Sequence, residues 1–223
     1  MTGDGEPRST SFRYTEFSAP VSRKKRKNSQ RPRPPLSTEV EQCRAELQQD
    51  NWLSRWREIV KSVPIQGPSG LICLGLGSPA SSAVSRAQLA ALIDLLETLD
   101  IAKSPSKVSI YDPVFTDEDN TLFGELGFRI SPGLVNKQDE RGTTVFFMPH
   151  CDLELYDAVL KANWSEEGLR NLILVANRLE DYVENKPARE LEGKAPYVKR
   201  IGELVILYAS INTTHRYEIQ RRF

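Results

Sequence analysis

The chain has 223 residues, 39% of them hydrophobic, and a formal net charge of zero at neutral pH. That length suits one ordinary domain with an extension, and without an apolar run approaching ~18 residues no membrane span is expected. The zero hides a split: residues 1–36 hold nine Lys/Arg against three Asp/Glu and carry +6, while the other 187 carry −6.

Residues 1–36 are rich in Ser, Arg, Lys and Pro and end in "RPRPPL". Such a composition cannot bury enough apolar area to offset the entropy of ordering it, so a disordered arm is expected, followed by a domain over 37–223. Within the arm, "RKKRKNSQRPR" places seven basic residues between Arg23 and Arg33 with no acid. A solvated tail and an import-receptor or polyanion patch are both compatible with it. The start "MTGDGEPRSTSFRYTEF" lacks an apolar core, so a secretory signal is not expected. Cys43, Cys73 and Cys151 are odd in number and form no C-x-x-C, which argues against a disulfide framework and for a reducing compartment. A cytoplasmic protein is expected, nuclear as well if the basic run is an address.

Order is expected from Thr38, which has capping-box spacing to Glu41. Leu53, Trp56, Val60 and Val63 then recur at helical steps, predicting one helix to about Val63, with the Trp52/Trp56 pair in the core. "GPSG" (Gly67 to Gly70) stops the chain before the first strand. Strand-like runs follow at 71–76, 107–112, 143–148, 171–176 and 203–209. They are nearly continuous apolar runs, as in strands buried on both faces. Between them helices are expected near 81–99, 117–127, 152–162 and 178–185. In the first, Leu89, Leu92, Leu96 and Leu99 form the apolar stripe, with Arg86, Asp94 and Glu97 on the wet face. Strand–helix alternation predicts a Rossmann-like three-layer α/β sandwich with a mostly parallel sheet.

In "GLGSPA", Gly75 and Gly77 with Ala80 fit G-x-G-x-x-G/A between a strand and a helix. The first glycine would make the tight turn, the second would let the backbone approach a phosphate or ribose, and the small third residue would permit close packing. Ser78 and the amides at the helix start could donate to an anion, although Pro79 has no amide to offer. Asp112, in "SIYDPVF", is the acid at the end of the second strand that could hold a ribose hydroxyl. It lies 32 residues after Ala80, beyond the usual ~20. The alternative is a plain corner, with Asp112 capping the turn at Pro113.

His150 and Cys151 close the strand run "FFMPHC" at a carboxyl end, where open α/β sheets bind ligands. An acid–base group, a soft-metal site or a haem ligand would suit this pair. If the strand continued, the two side chains would point opposite ways, so a single haem ligand is expected, His150 rather than Cys151, with His215 or an external group opposite. The bland alternative is a helix entry capped by Asp152. Asn177 ends another strand and could border the same crevice. No G-x-x-x-x-G-K-[ST], no G-x-S-x-G and no zinc spacing occur, and aromatics do not interleave with the basic run. Those absences speak against a P-loop ATPase, a serine hydrolase, a zinc site and a single-strand nucleic-acid platform.

Together, "LICLGLGSPASS…QLAALIDLL", "VSIYDPVFTDEDNTLFGELGF", "TTVFFMPHC…LYDAVLKANW" and "NLILVANRLEDY" resemble the sensitivity-to-red-light-reduced family, called SRR-like in animals. The likeness covers about residues 38–203, with "YDP" and "MPHC" its most specific parts, and it fades after Leu204, where "NTTHRY" only partly matches the family's ending. It bears on Gly75, Gly77 and Ser78, on Tyr111, Asp112 and Pro113, and on Met148 to Cys151. The resemblance implies a regulatory protein rather than an established enzyme, linked to haem biosynthesis and circadian core clock gene expression; binding of haem or a nucleotide at the carboxyl edge of the sheet is the expectation joined to it. It supplies no catalytic residues. An S-adenosylmethionine-dependent methyltransferase is the enzymatic alternative, although "MPHC" stands where an amino-methylating enzyme often has Asn/Asp-Pro-Pro-aromatic. An interaction module with a vestigial crevice is the third.

Overall fold

The computed structural model describes residues 33–63, 68–134 and 142–202. The chain divides into two units at Arg33/Pro34, and the sheet and its helices all belong to the second. Most of the basic run, the strand expected at 203–209 and His215 lie outside the described residues.

Among the described residues, five parallel strands form one sheet in the order β3-β2-β1-β4-β5. They are β1 (Gly70–Leu74), β2 (Val108–Tyr111), β3 (Arg129–Ile130), β4 (Thr144–Met148) and β5 (Leu172–Ala176). In β1 alternate residues serve opposite faces. Leu71 and Cys73 join Val108, Ile110, Val145 and Phe147 in one core, and Ile72 and Leu74 join Phe146 and Met148 in the other. That double burial is why β1 and β4 read as unbroken apolar runs. The register sets Leu71 beside Val108 on one side and Val145 on the other.

Among the described residues, four helices cover the first face: α1 (Leu36–Gln49), α2 (Trp52–Ser62), α3 (Ala83–Thr98) and α4 (Asp117–Glu125). The second face takes α5 (Leu153–Ala162), α7 (Leu179–Asn185), α8 (Ala188–Lys194) and a helical stretch at 196–202. The short α6 (Glu166–Arg170) leads into β5. Asp157 of α5 accepts from the Tyr197 and Val198 amides at 2.7 and 3.0 Å, which satisfies free donors where that last stretch begins. The α/β sandwich with an all-parallel sheet agrees with the sequence reading. Among the described residues no helix is long and apolar enough to cross a membrane.

Three expectations need correction. The single helix to Val63 is two helices, broken where Asn51 takes a left-handed conformation, φ 58°; asparagine is among the few residues that do so at modest cost. Thr38 caps nothing, because α1 starts at Leu36 after Pro35, and Leu36 and Val40 dock it on the core. Asp94 is not wet. It is fully buried, and the Arg57 guanidinium reaches it through Nε at 2.9 Å and through Nη2, with Arg44 nearby at 3.8 Å. Of its two companions, Glu97 is exposed and Arg86 half-buried.

Candidate functional site

The sheet order makes the gap between the carboxyl ends of β1 and β4 a topological switch point, since α3 leaves to one face and α5 to the other. Crevices of this kind hold ligands in open α/β sheets. Gly75, Gly77 and Ser78 border it from β1, Asp112 from β2, and His150 and Cys151 from β4.

Gly75 and Gly77 have φ of +66° and +71°, the left-handed region that favours glycine. A Cβ on Gly75 would lie 2.5 Å from the Cys151 sulfur and 2.7 Å from the His150 carbonyl oxygen. Its bareness lets the β1 and β4 ends close on each other. A Cβ on Gly77 would collide with the Ser85 hydroxyl, so this glycine admits the start of α3.

Two carboxylates organise the corner. Asp112 accepts from the Gly77 amide at 2.8 Å through one oxygen and from the Val114 amide at 3.1 Å through the other. It therefore caps its own turn and holds the glycine loop as well. Asp119, fully buried on α4, accepts from the Ser78 hydroxyl at 2.6 Å and the Ala80 amide at 2.8 Å. It also accepts from the Thr116 amide and hydroxyl at 2.9 and 2.8 Å, closing a capping box at the α4 start. Burial opposes ionisation of Asp119, but the hydrogen bonds from Ser78, Thr116 and Ala80 outweigh it and hold the carboxyl below its ordinary value.

On the β4 side the strand ends at Met148, so the alternation expected for His150 and Cys151 does not apply. His150 is exposed. Cys151 is half-buried and its thiol donates to the Leu74 carbonyl at 3.4 Å. Burial, with the nearby Asp152 and Asp112 carboxylates, pushes that thiol up to about 12. It is protonated at neutral pH, which does not fit a thiolate haem ligand. Asp152 caps α5 by accepting from the Leu155 amide at 2.8 Å. Asn177 lies just past β5, two strands from the glycine loop, and lines a mostly apolar cavity of about 310 Å³ with Leu174, Leu179 and Ile201. Among the described residues no three His, Cys, Asp or Glu side chains gather as a metal site.

The sequence reading missed two members. Asp119 could have been found from Thr116-x-x-Asp119, a cap spacing with Asp in place of Glu. Tyr156 is fully buried and its hydroxyl donates to the Met148 carbonyl at 2.8 Å, tying α5 to the β4 end. Burial, then the adjacent Cys151 and Tyr182, raises its ionisation well above the usual tyrosine value.

A parallel sheet in this order, with a glycine corner after β1 and an acid after β2, defines a Rossmann-type α/β protein. A family profile described as the SRR1 domain matches residues 43–218, and the chain belongs to that family. It is 32% identical to the mouse "SRR1-like protein" over 60% of this chain and 54% of the relative. Against the Arabidopsis thaliana "Protein SENSITIVITY TO RED LIGHT REDUCED 1" it is 31% identical, over 51% of this chain and 41% of that protein. The Drosophila melanogaster "SRR1-like protein" is 30% identical over 49% of this chain and 39% of its own length. The matched region thus spans about half or less of these relatives. No solved structure matches the chain.

Proposed function

We propose that the chain is a regulatory protein of the SRR-like kind, acting on haem biosynthesis and circadian core clock gene expression through a small ribose-bearing ligand at Asp112. Family membership and the likeness to a plant protein named for red-light sensitivity support the regulatory part.

One observation carries the ligand part. Asp112 is half-buried and sits across the glycine corner, with one backbone amide on each oxygen. A carboxylate has ~four lone-pair sites, so two stay available. A ribose diol is what a ligand of a Rossmann-type crevice presents to an acid at this position. Haem is the second reading, favoured by the exposure of His150 at the same edge.

Titration of the full chain with S-adenosylmethionine, a dinucleotide and hemin tests the choice. A ribose-bearing compound is expected to saturate one site and to lose affinity in Asp112→Asn. A hemin Soret shift that vanishes in His150→Ala would favour haem instead. Binding of none would leave an interaction module with a vestigial crevice. The basic run is proposed to contact an import receptor. Replacing Lys24, Lys25, Arg26 and Lys27 with Ala is expected to move any nuclear pool to the cytoplasm, and an unchanged distribution would make the run a solvated tail.

A further inference from the structure

We infer that the chain's own residues 203–209 pair with β5 as a further strand and cover the apolar cavity beside it. Among the described residues β5 is the last strand on its side of the sheet. Each of its residues is apolar and only half-buried, whereas β4 next to it is buried throughout. Leu172, Leu174 and Ala176 line the cavity of about 310 Å³ on the second face, together with Leu160, Leu169 and Ile201. Ile173 and Val175 turn to the first face, where they too are only partly covered. The Thr144 amide donates to the Asn171 carbonyl at 2.9 Å, so the Asn171 backbone faces β4. Backbone groups alternate sides along a strand in a parallel ladder, which turns those of Leu172, Leu174 and Ala176 away from β4. An apolar edge with outward N–H and C=O groups is a template for another strand.

The chain supplies that strand itself. Ile201 lines the cavity, and a Cβ on Gly202 would collide with the Val183 side chain and lie 3.5 Å from the Leu179 carbonyl oxygen. The backbone therefore stands beside α7, close to β5, at its last described residue. Only Glu203 separates it from Leu204 to Tyr208, an apolar run without Gly or Pro in which Val205, Ile206 and Tyr208 favour strands. A strand along β5 must be apolar on both faces, with one set of side chains over the cavity and the other beside Ile173 and Val175. An unbroken apolar run meets that need, and an alternating one would not. Extended, residues 203–209 reach ~23 Å, enough to follow the ~17 Å of β5. A tether this short keeps the run at an effective concentration on the order of millimolar, which favours it over a second copy or another protein.

The test is NMR of the full chain. Proton–proton proximities between Leu172–Ala176 and Leu204–Tyr208 are expected, unchanged on dilution, with slow deuterium exchange at the Leu172 and Leu174 amides. Val205→Pro combined with Ile206→Pro removes a ladder donor in either register, because N–H direction alternates along a strand. In that variant exchange at Leu172 and Leu174 is expected to quicken by at least about tenfold, while Ile173 and Val175, on the β4 side, stay slow. Should Ile173 quicken as well, the variant has lost its fold and the proximities in the unaltered chain decide. Their absence there would overturn the inference, as would protection of Leu172 and Leu174 that survives both prolines. Protection lost on dilution would overturn it too and assign this edge to a second copy.

Discussion

Gly77 carries a packing constraint as well as a position beside the crevice. A side chain there would meet Ser85 and hold a left-handed backbone. Gly77→Ala is therefore expected to cost about 1–2 kcal/mol for the conformation alone, read as a lower denaturant midpoint. Loss of ligand affinity in that variant would not by itself show that Gly77 touches a ligand. Cys151 gives a second test at this scale. With its thiol pushed up to about 12, alkylation at pH 8 is expected to be slower than at a free cysteine by on the order of a thousandfold. Labelling at the ordinary rate would mean an open, ionised thiol. The glycine positions and Asp112 could be read from the sequence because their motif is local. For Asp119 only the local cap with Thr116 is legible; its bond to Ser78 is not, because it forms only once β2 is paired with β1 and α4 is packed back.

Strands β1 and β4 could be read from apolar runs because burial on both faces leaves that trace, and β2, interrupted by Ser109, and the half-buried β5 from nearly continuous ones. Strand β3 could not be read. It has two residues, both exposed, and no periodicity to detect. The helices α1 and α2 look like one in sequence because a single left-handed residue, Asn51, divides them without Gly or Pro. Asp94 misled for another reason. A charged residue on a helix reads as solvent-facing until a partner from elsewhere covers it, and here α2 brings Arg57 across. Asp94→Asn is expected to destabilise the protein by about 1–3 kcal/mol, below the usual range for breaking a buried pair because Arg57 stays partly exposed. An unchanged thermal midpoint would show that α2 does not depend on this pair.

Over the whole molecule, the charge split and the start of α1 lie close together but do not coincide. Leu36, the last residue of the basic segment by composition, is the first of α1 and is 5% exposed. A chain beginning at Pro34 is expected to keep its stability, whereas one beginning at Ser37 is expected to lose about 1.5–3 kcal/mol through that side chain. Equal midpoints would place Leu36 outside the core. At the switch point, two of the protein's own carboxylates hold the corner together. Because the folded-state value of Asp119 is lowered, its stabilisation is complete above the unfolded value, near 3.8, and disappears as the pH falls through the folded value below it. The amide shift of Ala80, followed by NMR in the full chain during acid titration, reads that carboxylate directly. The amide is predicted to hold its position down to about 3.8 and to move only below it, with Thr116 following the same curve. An Ala80 amide that moves at higher pH, or that ignores acid while the fold persists, would show that Asp119 does not hold this corner.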